Sequence, residues 1–314
     1  MSAAYILGRA ELRTGLSNWG DPDFLPRLRL FMACIRSDTG LTDAGRENLE
    51  ATALRFAEGR LRLEELLRRN PEISEVALPR PIVVTGLPRS GTTALVTLLA
   101  EHPALQSLRY RDIAEPFAQS RLSGMRQADA IEQALPELHR LHDMSPDAKA
   151  DDTELQGLAF AGYGLEWLCQ APKWRDYYLA EDQVPAYRYL RLAMQALAFL
   201  RGDRRRWIIK NPQHMEQLPA LKAAFPDALL VVSRRDPAPR LRSMGRVMDA
   251  LVPCLRSRPI PMGYWQARFE AMQTSYDRHC GLFPDRIELS DWAAAPSQAA
   301  IWEGANLQPI AAAS

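Results

Sequence analysis

Cysteine is scarce in this sequence of 314 residues, and its four cysteines lie far apart. No pair has the C-x-x-C spacing, which argues against a zinc site and against a disulfide framework. Sparse, unpaired cysteines are typical of proteins from a reducing compartment, so we predict a cytoplasmic location. The four are Cys34, Cys169, Cys254 and Cys280.

The sequence also lacks a long apolar run and an excess of charge of either sign. No uncharged stretch is long enough to span a bilayer, and the first residues do not follow the pattern of a secretory signal peptide. Lysine plus arginine total 39 and aspartate plus glutamate total 38, so the formal net charge is +1. This balance argues against a strongly basic nucleic-acid-binding protein. We therefore expect neither a membrane nor a nucleic acid as a partner.

The first 80 residues have the pattern of a helical region. Thr42-Asp43 predicts an N-cap, and apolar residues then recur at helical spacing until Asn70-Pro71 ends the helix. Arginine and acidic residues interleave along it. Two interpretations stay open: an amphipathic region packed on the core, which we favour, or a cap that covers a substrate or binds a partner.

Short β-rich runs begin to alternate with helices at residue 81. Continuous apolar strands of this kind indicate a parallel sheet covered by helices on both faces. We therefore predict an α/β fold, P-loop-like, in a domain over residues 81–314 with helical insertions at about 105–205. The predicted strands are 81–85, 207–209, 228–233 and 286–289.

The most informative segment is Gly86-Leu87-Pro88-Arg89-Ser90-Gly91-Thr92-Thr93, which follows the first strand and opens a helix. Glycines let the backbone approach an anion closely, and the first turn of a helix offers unpaired N–H groups. The two glycines have the spacing of a Walker A loop, but Thr92 occupies the position of its lysine. We therefore expect an anion of lower charge than a triphosphate, bound without a metal. A P-loop kinase or nucleotide triphosphatase is the alternative.

This loop resembles the 5′-phosphosulfate loop of sulfotransferases that use 3′-phosphoadenosine 5′-phosphosulfate (PAPS). Its arginine form is similar to that of tyrosylprotein and bacterial small-molecule sulfotransferases. The resemblance implies that Pro88, Arg89, Ser90, Gly91, Thr92 and Thr93 bind the 5′-phosphosulfate. The aromatic residue that stacks on adenine in the cytosolic phenol and steroid enzymes is Ala94 here.

A second block resembles the 3′-phosphate site of the same family. Val231-Val232-Ser233-Arg234-Arg235-Asp236-Pro237 ends a strand, and Ser243 follows on the next helix. Arg235 and Ser243 could converge on one phosphate, with arginine supplying the charge-assisted donors. The Arg-Lys-Gly segment with which the cytosolic enzymes complete this site has no counterpart here. A weaker match, Ile287-Glu288-Leu289, is similar to the last strand of the family.

Lys210 ends the second predicted strand and is one of only four lysines in the chain. Ligands of open α/β sheets bind at the carboxyl ends of the strands. Sulfuryl transfer builds negative charge on the leaving group, so positioned cations should stabilise the transition state. We predict that Arg89 and Lys210 do so, and the family has a lysine in a matching strand-end motif.

The acceptor also needs a base, for which the sequence offers several candidates. Related sulfotransferases have a catalytic or substrate-contacting glutamate near Asp112, so Asp112 is favoured slightly. His214 is the alternative, since it lies just after Lys210. The acidic run at residues 151–154 has the pattern of a solvated helix start. The remaining candidates are Glu115, Asp152 and Glu154.

We expect no metal site. His139 and His142 have helical spacing next to Asp143, but no second pair of ligands supports them. The resemblance implies a sulfotransferase that uses PAPS, releases the bisphosphate PAP, and sulfates a small molecule of the kind found in specialised metabolism. A non-catalytic nucleotide-binding module is a further alternative, and the sequence leaves open whether the chain forms a homo-oligomer.

Overall fold

The computed structural model describes residues 1–118, 136–290 and 295–308, together with positions 124, 125, 129 and 133. Five parallel strands form one sheet in the spatial order β2-β3-β1-β4-β5. The predicted α/β fold with a parallel sheet is confirmed. The strands are β1 (Ile82–Thr85), β2 (Leu105–Ser107), β3 (Arg206–Lys210), β4 (Leu229–Ser233) and β5 (Ile287–Leu289).

The N-terminal region forms three helices: α1 (Ala3–Thr14), α2 (Leu25–Ser37) and α3 (Asp43–Arg69). The predicted N-cap of α3 is confirmed, because the Thr42 hydroxyl accepts a hydrogen bond from the Gly45 amide at 3.0 Å. The helix ends at Arg69, before Asn70-Pro71, because proline cannot continue it.

Helices also follow each of the first four strands. The first of them, α4 (Thr92–Leu99), begins directly after the glycine loop. Between β2 and β3 lie α5 (Tyr110–Ile113), α6 (Pro136–His139), α7 (Thr153–Gly157), α8 (Gly164–Leu168), α9 (Pro172–Ala180) and α10 (Val184–Arg201). The C-terminal part contains α11 (Leu218–Ala224), α12 (Pro237–Leu255), α13 (Met262–His279) and α14 (Ala295–Ala305). Short 3-10 helices span Pro22–Phe24, Pro71–Glu75, Pro212–Glu216 and Cys280–Leu282.

Side chains that alternate along the strands bury both faces of the sheet. Val83, Ile209 and Val232 pack in a core with residues of α10 to α13. Ile82 and Val231 face the other way, into a core with α4 and α14. Burial on both faces explains why these strands are continuously apolar rather than alternating.

Strand β2 corrects one expectation from the sequence. The segment at about 105–205 was expected to hold helices and loops between strands, but it begins with an edge strand parallel to β3. The strand has only three residues, and Gln106 and Ser107 do not have the β-branched or aromatic side chains that mark strands.

The helix α3 contacts two different cores. Leu49, Ala53 and Leu61 are fully buried in a cluster with α1, α2 and residues of α8 and α9. Leu63, near the C-terminal end of α3, is fully buried in the large core beneath the sheet. The N-terminal helices are therefore joined to the sheet by one continuous element.

A buried ion pair ties the N-terminal helices to the C-terminal half. Asp38 follows α2 and Arg256 follows α12, and both side chains are 2% exposed. The Asp38 carboxylate accepts from Arg256 Nη1 at 2.7 Å and Nη2 at 3.2 Å. It also accepts from the amides of Gly40 and Gln170, each at 2.8 Å. Four donors thus satisfy a carboxylate that is removed from water.

Candidate functional site

The three central strands bring the residues singled out in the sequence to one edge of the sheet. Strand β1 lies between β3 and β4, and all three are parallel. Their carboxyl ends therefore carry, side by side, Lys210, the loop after Thr85, and Arg235. This is the edge at which open α/β sheets bind ligands, at the point where the strand order reverses.

The loop after β1 is held close to β4. A Cβ atom added to Gly86 would lie 2.3 Å from the carbonyl oxygen of Ser233, so only glycine fits there. Ser233 Oγ donates to the carbonyl of Ser90 at 2.7 Å. Arg89, with φ 69°, and Gly91, with φ 92°, both adopt left-handed backbone conformations. The loop is thus a tightly fixed turn that delivers the chain into α4.

Several donors in this loop lack a protein partner. No side chain caps the first turn of α4. The Ser90 hydroxyl is buried and makes no hydrogen bond. Unpaired amides at a helix start, with the positive end of the helix dipole, form an anion site when a ligand satisfies them. The orphaned hydroxyl of Ser90 is a further donor, since a buried polar group without a partner is costly.

Three arginines lie close together at the loop: Arg89 in the loop itself, and Arg235 and Arg246 beside it. Arg89 Nε donates to Ser243 Oγ at 2.9 Å, and Arg235 Nη1 donates to the carbonyl of Arg89 at 3.2 Å. Burial lowers the pKa of Arg89, and the positive charges of Arg235 and Arg246 lower it further. In the described part of the chain, none of the three forms an ion pair with a carboxylate. Their mutual repulsion would be relieved by a polyanion.

Lys210 lies beneath the start of α4. Its side chain is 2% exposed, and Nζ donates to Thr93 Oγ1 at 2.9 Å. Asp151 Oδ1 is in direct contact with the same ammonium group. Burial, with the nearby Arg89, lowers the pKa of Lys210 to about 7.

A cavity of about 740 Å³ opens in front of these groups. One end is formed by the loop, by Lys210 and by Arg235. The rest of the lining comes from α3, from the segments between β2 and β3, and from α12. Its apolar and aromatic lining includes Leu54, Tyr110, Ile113, Leu138, Leu141, Met144, Tyr163, Trp167, Leu168, Val247 and Leu251.

Two ion pairs lie among the residues that line this cavity. Arg55 of α3 pairs with Glu154 of α7 at 2.6 Å, and Arg13 of α1 pairs with Glu58 of α3 at 2.9 Å. Burial raises the pKa of Glu58. Arg13 and Arg55 are thus matched by carboxylates, in contrast to the arginines at the loop.

His142 lines the cavity and lies near enough to Lys210 and Arg89 to be influenced by their charges. Burial lowers its pKa to about 3, and Lys210 and Arg89 act in the same direction. The imidazole is therefore neutral at physiological pH. Arg89 Nη2 also donates to the carbonyl of Leu141 at 3.1 Å, which joins the loop to the segment that carries His142.

The two residues favoured as the base do not line the cavity. Asp112 Oδ2 accepts from the Arg109 amide at 2.9 Å and pairs with Arg201 at 2.7 Å, so it caps α5. His214 is 0% exposed: Nε2 lies 2.9 Å from Asp152 Oδ2, and Nδ1 lies 2.9 Å from the Tyr187 hydroxyl. Both residues stay predictions for the base, and each is held by partners that do not line the cavity.

The remaining candidates for the base differ in whether they line the cavity. Asp152 is fully buried, while Glu154 and Glu115 line the cavity. Glu115 pairs with Arg62 at 2.9 Å. Asp151, which had the pattern of a solvated helix start, lines the cavity beside Lys210. Residues of α3 also line the cavity, and a cap over a substrate was the less favoured of the two interpretations that the sequence left open for this region.

Neither a metal-binding group nor a membrane-spanning helix is present among the described residues. No group of three or more histidine, cysteine, aspartate or glutamate side chains in these ranges could hold a metal ion. None of the helices found there is long and apolar enough to cross a membrane. His139 and His142 thus belong to no such group.

Comparison with known proteins agrees with this geometry. The profile described as "Sulfotransferase family" matches residues 81–289, and curated proteins give no match. Sulfotransferase STF1 from Mycobacterium tuberculosis H37Rv is similar in structure, with a TM-score of 0.84 and 23% identity over 98% of this chain and 90% of that chain. Sulfotransferase STF9 from Mycobacterium avium has a TM-score of 0.84 and 21% identity over 99% of this chain and 85% of that chain.

Proposed function

Because this chain belongs to the sulfotransferase family, we propose that it transfers a sulfuryl group from PAPS to a hydroxyl or amine of a small-molecule acceptor. The observation that carries the proposal is the cluster of Arg89, Arg235 and Arg246 around a glycine loop with unpaired donors. Such a site suits a ligand with several negative charges. Thr92 at the position of the Walker lysine favours a phosphosulfate over a triphosphate.

The residues present fit a phosphosulfate donor. The partnerless Ser90 hydroxyl and the uncapped start of α4 are donors that an anion would satisfy. Pro88, Gly91, Thr92 and Thr93 line the same cavity as Arg89 and would surround the 5′-phosphosulfate. Arg235 and Ser243, both in contact with Arg89, would hold the 3′-phosphate. No metal is needed, since arginine and backbone donors supply the charge.

PAPS supplies the sulfuryl group and the bisphosphate leaving group. Lys210 lies beside Thr93 and would stabilise the negative charge that develops on the leaving oxygen. Arg89 would share this role from the loop. Apolar side chains line the same cavity, and a less polar surrounding strengthens each charge interaction.

We further propose a division of the chain into a helical region over residues 1–80 and an α/β domain over residues 81–314. The segment at about 105–205 would shape the acceptor pocket together with α3. This is supported by the cavity lining, which combines residues of both regions. The four cysteines are free, which supports a reducing, cytoplasmic environment.

The proposed donor can be tested without knowing the acceptor. We expect adenosine 3′,5′-bisphosphate (PAP) to raise the melting temperature in the presence of EDTA, because it binds the native state. A shift with ATP–magnesium but none with PAP would contradict the proposal and favour a kinase. An acceptor screen with labelled PAPS and mass spectrometry for an added sulfo group would then identify the substrate.

Arg235→Ala is expected to weaken PAP binding about 10-fold to 100-fold and to change 5′-AMP binding little. The reason is that 5′-AMP lacks the 3′-phosphate, and one charge-assisted hydrogen bond contributes about 1.5–3 kcal/mol. Isothermal titration calorimetry measures both affinities. Arg234→Ala is the matched control, since Arg234 pairs with Glu288 at 2.6 Å. An equal loss for both nucleotides would move Arg235 away from the 3′-phosphate.

A further inference from the structure

Asp151 is a carboxylate in direct contact with Lys210, the residue that we propose stabilises the leaving group. Its Oδ1 contacts Lys210 Nζ, and the same ammonium donates to Thr93 Oγ1 in the first turn of α4. Its side chain is 28% exposed and lines the cavity. A single ammonium group therefore separates the phosphosulfate loop from a carboxylate that faces the acceptor side.

Asp152, the next residue, fixes the position of Asp151. Its amide donates to the carbonyl of Lys210 at 3.1 Å. Its carboxylate accepts from Asn211 Nδ2 at 2.7 Å and lies 2.9 Å from His214 Nε2. All of these groups are buried beneath the carboxyl end of β3. His214 thus contacts the residue that follows Asp151 in the chain.

The other acidic candidates are engaged away from Lys210. Asp112 pairs with Arg201, and Glu154 pairs with Arg55 of α3. Glu115 pairs with Arg62. Among the ion pairs of the described residues, that of Lys210 is with Asp151. The geometry therefore separates Asp151 from the rest by contact with the cation that would stabilise the leaving group.

We propose, building on the proposed function, that Asp151 is the catalytic base that accepts the proton of the acceptor. The acceptor oxygen or nitrogen forms a bond to sulfur while the bond from sulfur to the phosphate oxygen breaks. The acceptor proton passes to Asp151, the electron pair of the broken bond stays on PAP, and no oxidant or metal takes part. Asp151 then returns the proton to water, which its partial exposure permits.

The test measures PAP release from PAPS with water as the acceptor, so that no acceptor need be known. Asp151→Asn is expected to slow this release by about 100-fold or more, in the range for a lost general base. PAP affinity should stay equal or rise, because the variant removes a negative charge near the bound phosphates. Asp151→Glu should recover part of the rate. Asp203→Asn is the matched control, an aspartate paired with Arg205 outside the cavity.

The possible results separate this inference from the proposed function. If Asp151→Asn releases PAP at the wild-type rate, the role of Asp151 is overturned. It is also overturned if the variant is slow and has lost PAP binding or folding. Loss of release in Glu154→Gln but not in Asp151→Asn would assign the proton to Glu154. A wild type that binds PAP but leaves PAPS intact would also overturn it, since water fills the acceptor position. Failure of the wild type to bind PAP would instead contradict the proposed function.

Discussion

Replacing Lys210 with alanine is expected to lower kcat by about 10²–10³, the range for loss of one group that stabilises transition-state charge. The physical reason is that the ammonium acts mainly as the leaving group departs, so KM for PAPS should change much less. Steady-state kinetics with the acceptor found by screening would measure both constants. A pure effect on KM would make Lys210 a binding residue.

Lys210→Met is the control for packing, because it keeps most of the side-chain volume at a position that is 2% exposed. The two variants should be equally slow if the charge is what matters. The wild type also has an expected pH dependence. With a pKa of about 7 in the free protein, Lys210 is charged below pH 7, and its attraction for PAP is lost as the pH rises above 7. Both variants should lack this loss of affinity between pH 7 and 9.

Asp38→Ala is expected to reduce the free energy of unfolding by about 3–5 kcal/mol. Removing one partner of a buried ion pair leaves Arg256 buried without compensation, and this costs more than the pair itself contributes. Thermal unfolding should show a melting temperature lower by about 10 °C. The two amides that donate to Asp38 would lose their acceptor as well.

Asp176→Ala is the matched control for this change. Asp176 pairs with Arg175 at 2.6 Å, but its side chain is 66% exposed. Exposed pairs of this kind contribute about 0–1 kcal/mol, so the control should be nearly as stable as the wild type. Equal stability of Asp38→Ala and the control would show that the pair does not hold the N-terminal helices to the rest of the chain.

The sheet edge was predictable because its signals are local. Three apolar residues and Thr85 before a glycine turn predict a buried strand, while Lys210 ends a second apolar strand and Arg235 follows a third. Parallel pairing then brings all three strand ends together without any knowledge of side-chain packing. The family predicted from the loop is confirmed by the profile match over residues 81–289.

Asp151, the base that we propose, was not favoured from the sequence, because the choice depends on side-chain direction and on contacts between distant residues. Asp112 turns back onto the amide of Arg109, and His214 turns inward to Asp152. Nothing in the local sequence shows either direction. Asp151 lies 59 residues from Lys210 in the chain, so their contact appears only when the segment after α6 folds over β3.

The N-terminal region shows a different limit of the sequence. The spacing in α3 predicted an amphipathic helix, and two interpretations were open, packing and covering a substrate. The helix packs through Leu49 and Leu61, and it also lines the cavity through Leu54 and Arg55. A periodic pattern identifies the buried face, but it cannot show that a second face borders a cavity.

The continuity of α3 has a consequence for how this protein can change through evolution. At 27 residues the helix is about 40 Å long, and it carries cavity residues between two sets of core residues. One inserted residue would rotate every later side chain by about 100° around the helix axis. Leu63 would then leave the sheet core while Leu49 kept its place. Substitutions along α3 can therefore change the lining of the cavity, whereas insertions and deletions there would be eliminated by loss of folding.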